Sequence, residues 1–383
     1  MTPSNSELTE LLSAPPFGLA ASTKGPLLTQ ALNTLTELHR AHCPPYARAL
    51  SVMYPSAAPA GCREDVPYLP VTAFKTHTLR SIAEADVFKV LTSSGTTGQV
   101  PSRIYLDRET AVRQTRALAN IMTHVLGPQR LPMIMVDTKS VFQNRQSFSA
   151  RGAGLLGMAN FGRDHFYALD DQMQLDEAGL LAFLQKYSGK PLLIFGFTYM
   201  VWLYFMEAAR RLGADLSQAT LIHSGGWKKL SEQAVDNARF KASLREATGL
   251  RRIYNFYGMV EQVGGVFLEC ERGVLHAPSF GDVIARDVRT LLPAALGQEG
   301  VLQVLSALPT SYPGHSLLTE DLGTVLGEDD CGCGRKGKYF SVRGRVARAE
   351  LRGCSDTHAA STDAAGPHSA SGAESAHAAA GVA

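Results

Sequence analysis

The chain has 383 residues, of which 45% are hydrophobic and 19% are charged, and its formal net charge at pH 7 is +2. This composition predicts a folded globular protein with a substantial core. The small net charge does not favour a nucleic-acid partner, and no apolar stretch approaches the roughly 18 residues expected of a membrane span. Six unevenly spread cysteines favour reduced thiols in a cytoplasmic protein over a disulfide framework.

The first 64 residues are predicted to form an N-terminal helical region. Apolar residues recur at helical spacing over residues 6–40. Pro15 and Pro16 interrupt this pattern, so we expect two helices rather than one.

Residues 92–98, Thr-Ser-Ser-Gly-Thr-Thr-Gly, are the most distinctive local pattern. Such a loop can bind a polyanion, because its glycines allow close approach of the backbone while N–H groups and hydroxyls donate to phosphate oxygens. It is not a Walker loop, since no lysine follows the second glycine. Taken alone, the same pattern is also typical of an ordinary surface turn.

After this loop the pattern predicts alternating strands and helices. A short strand at 102–106 precedes a helix that begins after Asp107 and ends at Leu126 before Gly127. Further strands and helices are expected at 131–136, 191–195, 199–212, 221–223, 231–247 and 252–256. Such alternation predicts an α/β architecture. Short strands near 283–287, 301–306 and 339–343 predict a β-rich portion late in the chain.

Four residues could form a metal site. Cys270 and His276 are separated by five residues, and Cys331 and Cys333 by one. Three thiols and one imidazole are a common ligand set for structural Zn²⁺. The alternative is a buried Cys270 at a strand end and a free dithiol at 331 and 333.

The end of the chain changes in character. Residues 357–383 consist largely of Ala, Ser, Gly and His, so they are predicted to be a disordered tail. Cys354 lies just before this tail, and Arg348 and Arg352 nearby would lower its pKa and favour the thiolate. A thiolate at such a position could carry a group between two sites, whereas an inert tail cysteine is the alternative.

Four motifs occur in a fixed order: TSSGTTG at 92–98, HSGGWKKL at 223–230, NFYGMVEQ at 255–262, and SLLTEDLGTV at 316–325 with Gly344-Arg345 after it. This order resembles the acyl-adenylate-forming enzymes over residues 65–356. Residues 149–171 and 350–356 look like the acyl-protein synthetases of bacterial luminescence systems. The resemblance implies an adenylation domain at 65–356 with the layered α/β large-domain fold of that superfamily.

The resemblance also implies an ATP site. In it, the hydroxyl loop would hold the β- and γ-phosphates through Ser93, Ser94, Gly95, Thr96, Thr97 and Gly98. Gly225, Gly226 and Gly258 would be further ATP-binding positions. Tyr257 would stack on adenine, although a core aromatic is the alternative.

The charged residues of this implied site have separate roles. Glu261 would bind Mg²⁺, since carboxylate oxygens suit hard cations, unless it is a solvated surface residue. Asp321 would accept hydrogen bonds from the ribose hydroxyls. Glu320 stands where the family usually has glycine, so the two acids could exchange roles. Arg345 would add a cation near the ribose and the leaving phosphate.

One feature departs from the superfamily. Most adenylate-forming enzymes carry a C-terminal lid domain with a lysine that neutralises charge during adenylation. Only 38 of the 383 residues follow Arg345, so we expect this lid to be largely absent. Lys75 or a partner subunit could substitute, with a solvated surface lysine as the alternative for Lys75.

Together these features predict an ATP-dependent enzyme. The resemblance implies that a fatty acid is converted to acyl-AMP, that Cys354 then holds the acyl group as a thioester, and that a partner reductase accepts it. The alternatives are an adenylate-forming coenzyme A ligase or acyltransferase of a biosynthetic pathway, and an inactive scaffold with the same fold. His165, His223 and His315 are expected to be structural, hydrogen-bonded histidines rather than general bases.

Overall fold

The computed structural model describes residues 5–56, 58–93, 100–142, 150–227 and 234–345. Three helices open the chain: α1 (Asn5–Ser13), α2 (Ala21–His42) and α3 (Pro44–Met53). The break expected at Pro15 and Pro16 lies between α1 and α2, because proline lacks the N–H that a continuing helix needs. Leu28, Leu32 and Leu35 form a buried stripe along α2.

The described residues contain seven further α-helices, some of a single turn. They are α4 (Ala73–Thr76), α5 (Arg108–Leu126), α6 (Ala150–Ala159), α7 (Glu177–Lys186), α8 (Thr198–Met200), α9 (Glu207–Arg211) and α10 (Asn237–Thr248). The Asp107 carboxylate accepts the Thr110 N–H at 2.7 Å and so caps α5 as expected. Gly127, with a φ of 78°, follows its last residue.

The helix expected at 199–212 differs from the prediction. A π-helical turn, Val201–Met206, lies between α8 and α9. The wider turn lets Trp202 stack on Phe240 with their ring centroids 6.0 Å apart, while Val201 and Phe205 stay buried. Tertiary packing of large side chains therefore overrides the regular α-helical pattern here.

The described residues also contain fourteen strands. They are β1 (Leu69–Pro70), β2 (Lys89–Thr92), β3 (Arg103–Leu106), β4 (Leu131–Thr138), β5 (Gly162–Leu169), β6 (Leu192–Phe197), β7 (Ala219–Ser224), β8 (Arg252–Tyr257), β9 (Phe267–Glu269), β10 (Leu275–His276), β11 (Gly281–Arg286), β12 (Glu299–Ser306), β13 (Ser316–Glu328) and β14 (Lys338–Arg345). Twelve of them form one sheet in the order β11-β12-β13-β14-β10-β9-β8-β7-β6-β4-β5, with β1 paired to β13. β2 and β3 form a separate antiparallel pair.

One half of the large sheet is parallel. β5, β4, β6, β7 and β8 run in the same direction. All six residues of β6 and of β7 are buried, as expected of parallel strands that are covered on both faces. Gly154 of α6 lies against the Phe197 ring on one face, and Phe240 of α10 packs on His223 on the other.

The other half of the sheet is antiparallel and comes from the later part of the chain. β9 joins β8 in antiparallel pairing, and β10, β14, β13, β12 and β11 continue from it. These pairings confirm the β-rich portion expected late in the chain. Through β9 and β10 they also bring β13 and β14 near the carboxyl end of β8.

The N-terminal helices pack on the same core as the sheet. Leu11, Leu28 and Leu32 belong to the same buried cluster as Ile194 and Leu221 of the parallel strands. Whether residues 1–64 and 65–356 are separate units stays a prediction, and residues 357–383 lie outside the described part. Among the described helices, none combines the length and apolar character needed to cross a bilayer.

Candidate active site

The carboxyl ends of β7 and β8 carry two of the predicted motifs. β7 ends at Ser224, and Gly225 and Gly226 follow it on the surface. Gly225 has a φ of 83°, a backbone conformation that favours glycine. β8 ends at Tyr257, directly before Gly258. Since ligands of α/β proteins bind beyond the carboxyl ends of parallel strands, this edge is the candidate site.

Three residues from separate motifs meet beside this edge. The Tyr257 hydroxyl donates to Asp321 Oδ2 at 2.6 Å. Asp321 pairs with Arg345 across β13 and β14, and its Oδ1 lies 3.6 Å from Arg345 Nε. Burial, reinforced by the Asp321 carboxylate, raises the pKa of Tyr257 well above its ordinary value, so the phenol remains a donor.

Of the two acids at 320 and 321, Asp321 is the one that accepts the Tyr257 hydroxyl. The Asp321 N–H is itself bound to Thr319 Oγ1 at 3.1 Å, which holds the chain at this point of β13. The Tyr257 ring lies near Phe267 and Phe340, with ring centroids 6.0 and 6.2 Å away. These contacts fix the orientation of the ring expected to hold adenine.

Glu261 lies in a short 3-10 turn, Val260–Gln262, after the NFYG motif. Its side chain is only 5% exposed. Gln262 holds the turn by donating to the carbonyls of Val304 and Gly314 at 3.1 and 2.8 Å. A buried carboxylate on a fixed turn suits a hard cation such as Mg²⁺. Because the side chain is buried, Glu261 is not the solvated surface residue of the alternative interpretation.

Thr92, the last residue of β2, and Ser93 are the described members of the hydroxyl loop. The Ser93 N–H donates to the Ser102 carbonyl at 3.1 Å, and the Ser93 Oγ accepts the Ser102 N–H at 2.8 Å. The two bonds join Ser93 to Ser102 across the base of the loop. Ser94, Gly95, Thr96, Thr97 and Gly98 lie outside the described residues, as does Cys354. Lys75 is half-buried in α4.

The four candidate zinc ligands come together. Cys270 follows β9, His276 lies in β10, and Cys331 and Cys333 lie in the turn between β13 and β14, which β10 joins to the same sheet. One ligand atom from each residue lies within 4.8 Å of the other three. Cys333 Sγ is 3.4 Å from His276 Nε2, close to the roughly 3.5 Å that neighbouring S and N ligands of a tetrahedral zinc would show.

These ligands are largely enclosed by the protein. Burial lowers the pKa of His276 to about 4 and raises the pKa of the Cys333 thiol to about 12. Cys270 is fully buried and Cys331 nearly so. The donor set, its spacing and its enclosure therefore fit a structural zinc.

His165, His223 and His315 each have a hydrogen-bond partner, as expected of structural histidines. His315 Nε2 lies 3.0 Å from Thr36 Oγ1, and His165 Nε2 lies 3.0 Å from the Ala159 carbonyl. His223 Nδ1 lies 2.9 Å from Thr198 Oγ1 at the end of β6. The sequence motifs do not include Thr198. Its position directly after the buried strand β6 is the sequence feature that indicates a hydroxyl at the strand end.

Comparisons with known proteins identify the family. The family described as "Acyl-protein synthetase, LuxE" matches residues 2–361. A long-chain-fatty-acid–luciferin-component ligase of Vibrio harveyi is 26% identical over 310 residues, covering 76% of each chain. The protein of the same description from Aliivibrio fischeri is 28% identical over 280 residues, covering 68% of this chain and 70% of its own.

A solved structure shares the fold. An open conformation of 2-hydroxyisobutyryl-CoA ligase, in complex with 2-HIB-AMP and CoA, superposes with a TM-score of 0.67 at 19% identity, covering 86% of this chain and 76% of its own. This likeness confirms the expected α/β fold of adenylate-forming ligases. With the family match over nearly the whole chain, it follows that the protein belongs to the acyl-protein synthetase family, LuxE.

Proposed function

We propose that the chain activates a long-chain fatty acid with ATP and then carries the acyl group on Cys354. The observation that carries this proposal is the meeting of Tyr257, Asp321 and Arg345 beside the carboxyl ends of β7 and β8. The family match and the long-chain fatty acid in the names of the two relatives support a fatty acid as the carboxylate.

In the first step, a carboxylate oxygen of the acid attacks the α-phosphorus of ATP, and pyrophosphate leaves with the electron pair of the broken P–O bond. The hydroxyl loop at 92–98 would hold the β- and γ-phosphates. Tyr257 would orient the adenine, and Asp321 would accept hydrogen bonds from the ribose. Arg345, with its Nε 3.6 Å from Asp321, would lie near the ribose and the leaving phosphate. When bound at Glu261, Mg²⁺ would neutralise charge on the phosphate oxygens.

In the second step, the Cys354 thiolate attacks the carbonyl carbon of acyl-AMP, and AMP leaves. The product is an acyl thioester on the protein. A reductase that accepts the acyl group would complete the cycle. Arg348 and Arg352, close in sequence, would favour the thiolate that this step requires.

The two steps are separated by a labelling experiment with radioactive fatty acid and ATP. Cys354→Ala should still form acyl-AMP but should hold no label on the protein through denaturing electrophoresis. The wild-type label should be released by neutral hydroxylamine, which cleaves thioesters. Truncation after Asp356 should leave both steps intact, and truncation before Cys354 should match the alanine variant.

Equal labelling of Cys354→Ala and wild type would rule out this cysteine as the carrier. Release of soluble acyl-coenzyme A with no label on the protein would favour the ligase alternative. Failure of the wild type to release pyrophosphate with any of a panel of carboxylic acids would favour the inactive scaffold.

We further propose that Cys270, His276, Cys331 and Cys333 bind one structural Zn²⁺. The support is their mutual spacing within 4.8 Å and their position between two hairpins of one sheet. Bound there, the metal would crosslink the β9–β10 and β13–β14 hairpins. Elemental analysis of untagged protein should give one zinc per chain. Metal-free protein with the same melting temperature before and after chelator treatment would contradict the proposal.

A further inference from the structure

Side-chain hydroxyls link the carboxyl ends of three neighbouring parallel strands. Thr198 follows β6, and its Oγ1 donates to the Ser224 carbonyl at 3.2 Å at the end of β7. Ser224 Oγ in turn donates to the Phe256 carbonyl at 2.9 Å, near the end of β8. Both side chains are largely enclosed, since Thr198 and Ser224 are each 7% exposed.

The two accepting carbonyls lie directly before residues that are predicted to contact the nucleotide. Ser224 O belongs to the peptide bond that leads into Gly225, and Phe256 O belongs to the peptide bond that leads into Tyr257. Carbonyls near the end of a parallel ladder lose their regular partners, and a buried carbonyl needs one. The hydroxyls of Thr198 and Ser224 therefore fix the two peptide planes at which the motifs leave the sheet.

His223 completes this arrangement. A threonine hydroxyl has one proton, and Thr198 donates it to Ser224 O. The contact of 2.9 Å between Thr198 Oγ1 and His223 Nδ1 therefore has the imidazole as donor. His223 is 1% exposed and packs against Phe240, with ring centroids 4.6 Å apart. Because Thr198 Oγ1 accepts this hydrogen bond from His223, its own proton stays directed at Ser224 O.

We infer that Thr198 and Ser224 are positioning residues for the nucleotide: they hold the Gly225-Gly226 turn and Tyr257 in the conformation that ATP requires. The inference rests on the proposed function, which gives those segments to the nucleotide. Gly225 and Gly226 are exposed and, as glycines, have wide backbone freedom. Without the Thr198 hydrogen bond, the peptide before Gly225 would become ordered only when the nucleotide binds. The conformational entropy lost in that step would weaken ATP binding.

The test compares ATP binding with thermal stability in matched variants. Thr198→Val keeps the shape of the side chain and removes its donor, and it should raise the Kd for ATP about three- to tenfold, the range expected for one neutral hydrogen bond. Thr198→Ser retains the hydroxyl donor, and its Kd for ATP should stay within about twofold of the wild-type value. Ser224→Ala should weaken binding as Thr198→Val does, and it carries the test if Thr198→Val does not fold.

Thr248→Val is the matched control. Thr248 Oγ1 also donates to a backbone carbonyl, that of Leu244 at 2.7 Å, and Thr248 is 4% exposed, but it lies at the end of α10. This variant should lower the melting temperature and leave the Kd unchanged. Normal ATP binding by both Thr198→Val and Ser224→Ala would overturn the inference, as would an equal loss in Thr248→Val.

Failure of the proposed function would look different. Wild-type protein that binds no ATP would overturn both the ATP site and this inference. Wild-type protein that binds ATP, and that loses affinity in Asp321→Ala but not in Thr198→Val or Ser224→Ala, would leave the proposed function intact and remove the positioning role alone.

Discussion

The two carboxylate oxygens of Asp321 face different partners. Oδ2 accepts the Tyr257 hydroxyl, whereas Oδ1 faces Arg345 Nε. A carboxylate offers about four lone-pair positions in all, which suits the ribose-binding role proposed for Asp321. At the scale of single residues, the proposed ATP site thus depends on a charge that is already oriented before the nucleotide arrives.

Removing that charge should slow the first step. We expect Asp321→Ala to lower carboxylate-dependent pyrophosphate release at least about tenfold, equivalent to about 1.4 kcal/mol of transition-state stabilisation. Tyr257→Phe keeps the aromatic ring and should have a smaller effect, because it removes only the hydroxyl. Steady-state pyrophosphate release with a good acid checks both variants. Full activity of Asp321→Ala would show that the ATP site lies elsewhere.

Glu261 provides a second test at this scale. Glu261→Gln keeps the size of the side chain and removes the charge that would hold Mg²⁺. We expect pyrophosphate release to fall at least about tenfold and the Mg²⁺ concentration for half-maximal rate to rise. A magnesium titration of both proteins measures this. An unchanged magnesium dependence would mean that Glu261 is not a ligand.

At the scale of structural elements, the β9–β10 and β13–β14 hairpins meet through the pairing of β10 with β14. β10 has only two residues, Leu275 and His276, and it pairs with both β9 and β14. Such a short strand has few backbone hydrogen bonds to hold it. A metal bound by ligands from both hairpins would stabilise this junction directly.

Loss of a ligand should therefore cost both metal and stability. We expect Cys333→Ser to lose zinc and to melt at a lower temperature than wild type, because metal binding contributes to folding. Cys62→Ser is the control, since Cys62 is exposed and outside the ligand set. Zinc content and melting temperature measured on both variants check this. Equal values for Cys333→Ser and Cys62→Ser would contradict it.

On the scale of the whole molecule, buried charges join the N-terminal helices to the last strands. Asp282 of β11 is fully buried, with Arg63 Nη1 2.6 Å away and the Nζ atoms of Lys24 and Lys338 each 3.8 Å away. Two further carboxylates add negative charge to the group: Glu64 pairs with Lys338, and Glu328 pairs with Arg63. Burial lowers the pKa of Lys24, and the Asp282 carboxylate opposes this effect.

Breaking this group should destabilise the protein. Asp282→Asn would leave three cations with too little compensating charge, and we expect a loss of about 3–5 kcal/mol in the free energy of unfolding. Glu207→Gln breaks the exposed pair with Arg210 and should leave the free energy of unfolding nearly unchanged, because solvent screens such a pair. Urea unfolding of both variants is the measurement. Similar small losses would show that the buried group contributes little.

Buried histidines also give the whole molecule a pH dependence. Burial lowers the pKa of His39 and of His223 to about 3, and burial next to His39 lowers the pKa of His315 well below 6.5. Below pH 6.5 the unfolded chain binds protons at these sites and the folded chain does not. Stability is therefore fully present above that pH and is lost as pH falls below it.

We expect the free energy of unfolding to be nearly constant from pH 7 to 8. Between pH 6 and 5 it should fall, approaching about 1.4 kcal/mol per pH unit for each such histidine. His39→Gln should reduce that slope by the share of one histidine. Urea unfolding at four pH values checks this. An unchanged slope in His39→Gln would mean that His39 is not one of the groups responsible.

Much of the fold could be predicted from the sequence because its signals are local. Asp107 and Gly127 mark the ends of α5, and the apolar runs at 131–136 and 191–195 mark β4 and β6. These patterns depend on neighbouring residues that share one helix or strand. The order of the motifs likewise indicates the family. The spacing of Cys270 with His276 and of Cys331 with Cys333 predicts a cluster, and the structure brings the four side chains together.

Tertiary structure alone decided which distant residues meet. Tyr257 and Asp321 are 64 positions apart, and their contact requires β13 and β14 to lie beside β8 through β9 and β10. The pairing of Lys24 with Asp282 could not be predicted, because a single lysine on an amphipathic helix normally faces solvent. The hydroxyl link from Thr198 to Ser224 depends on β6 and β7 ending in register. Strand order and register depend on how all the apolar faces pack at once, and no local segment contains that information.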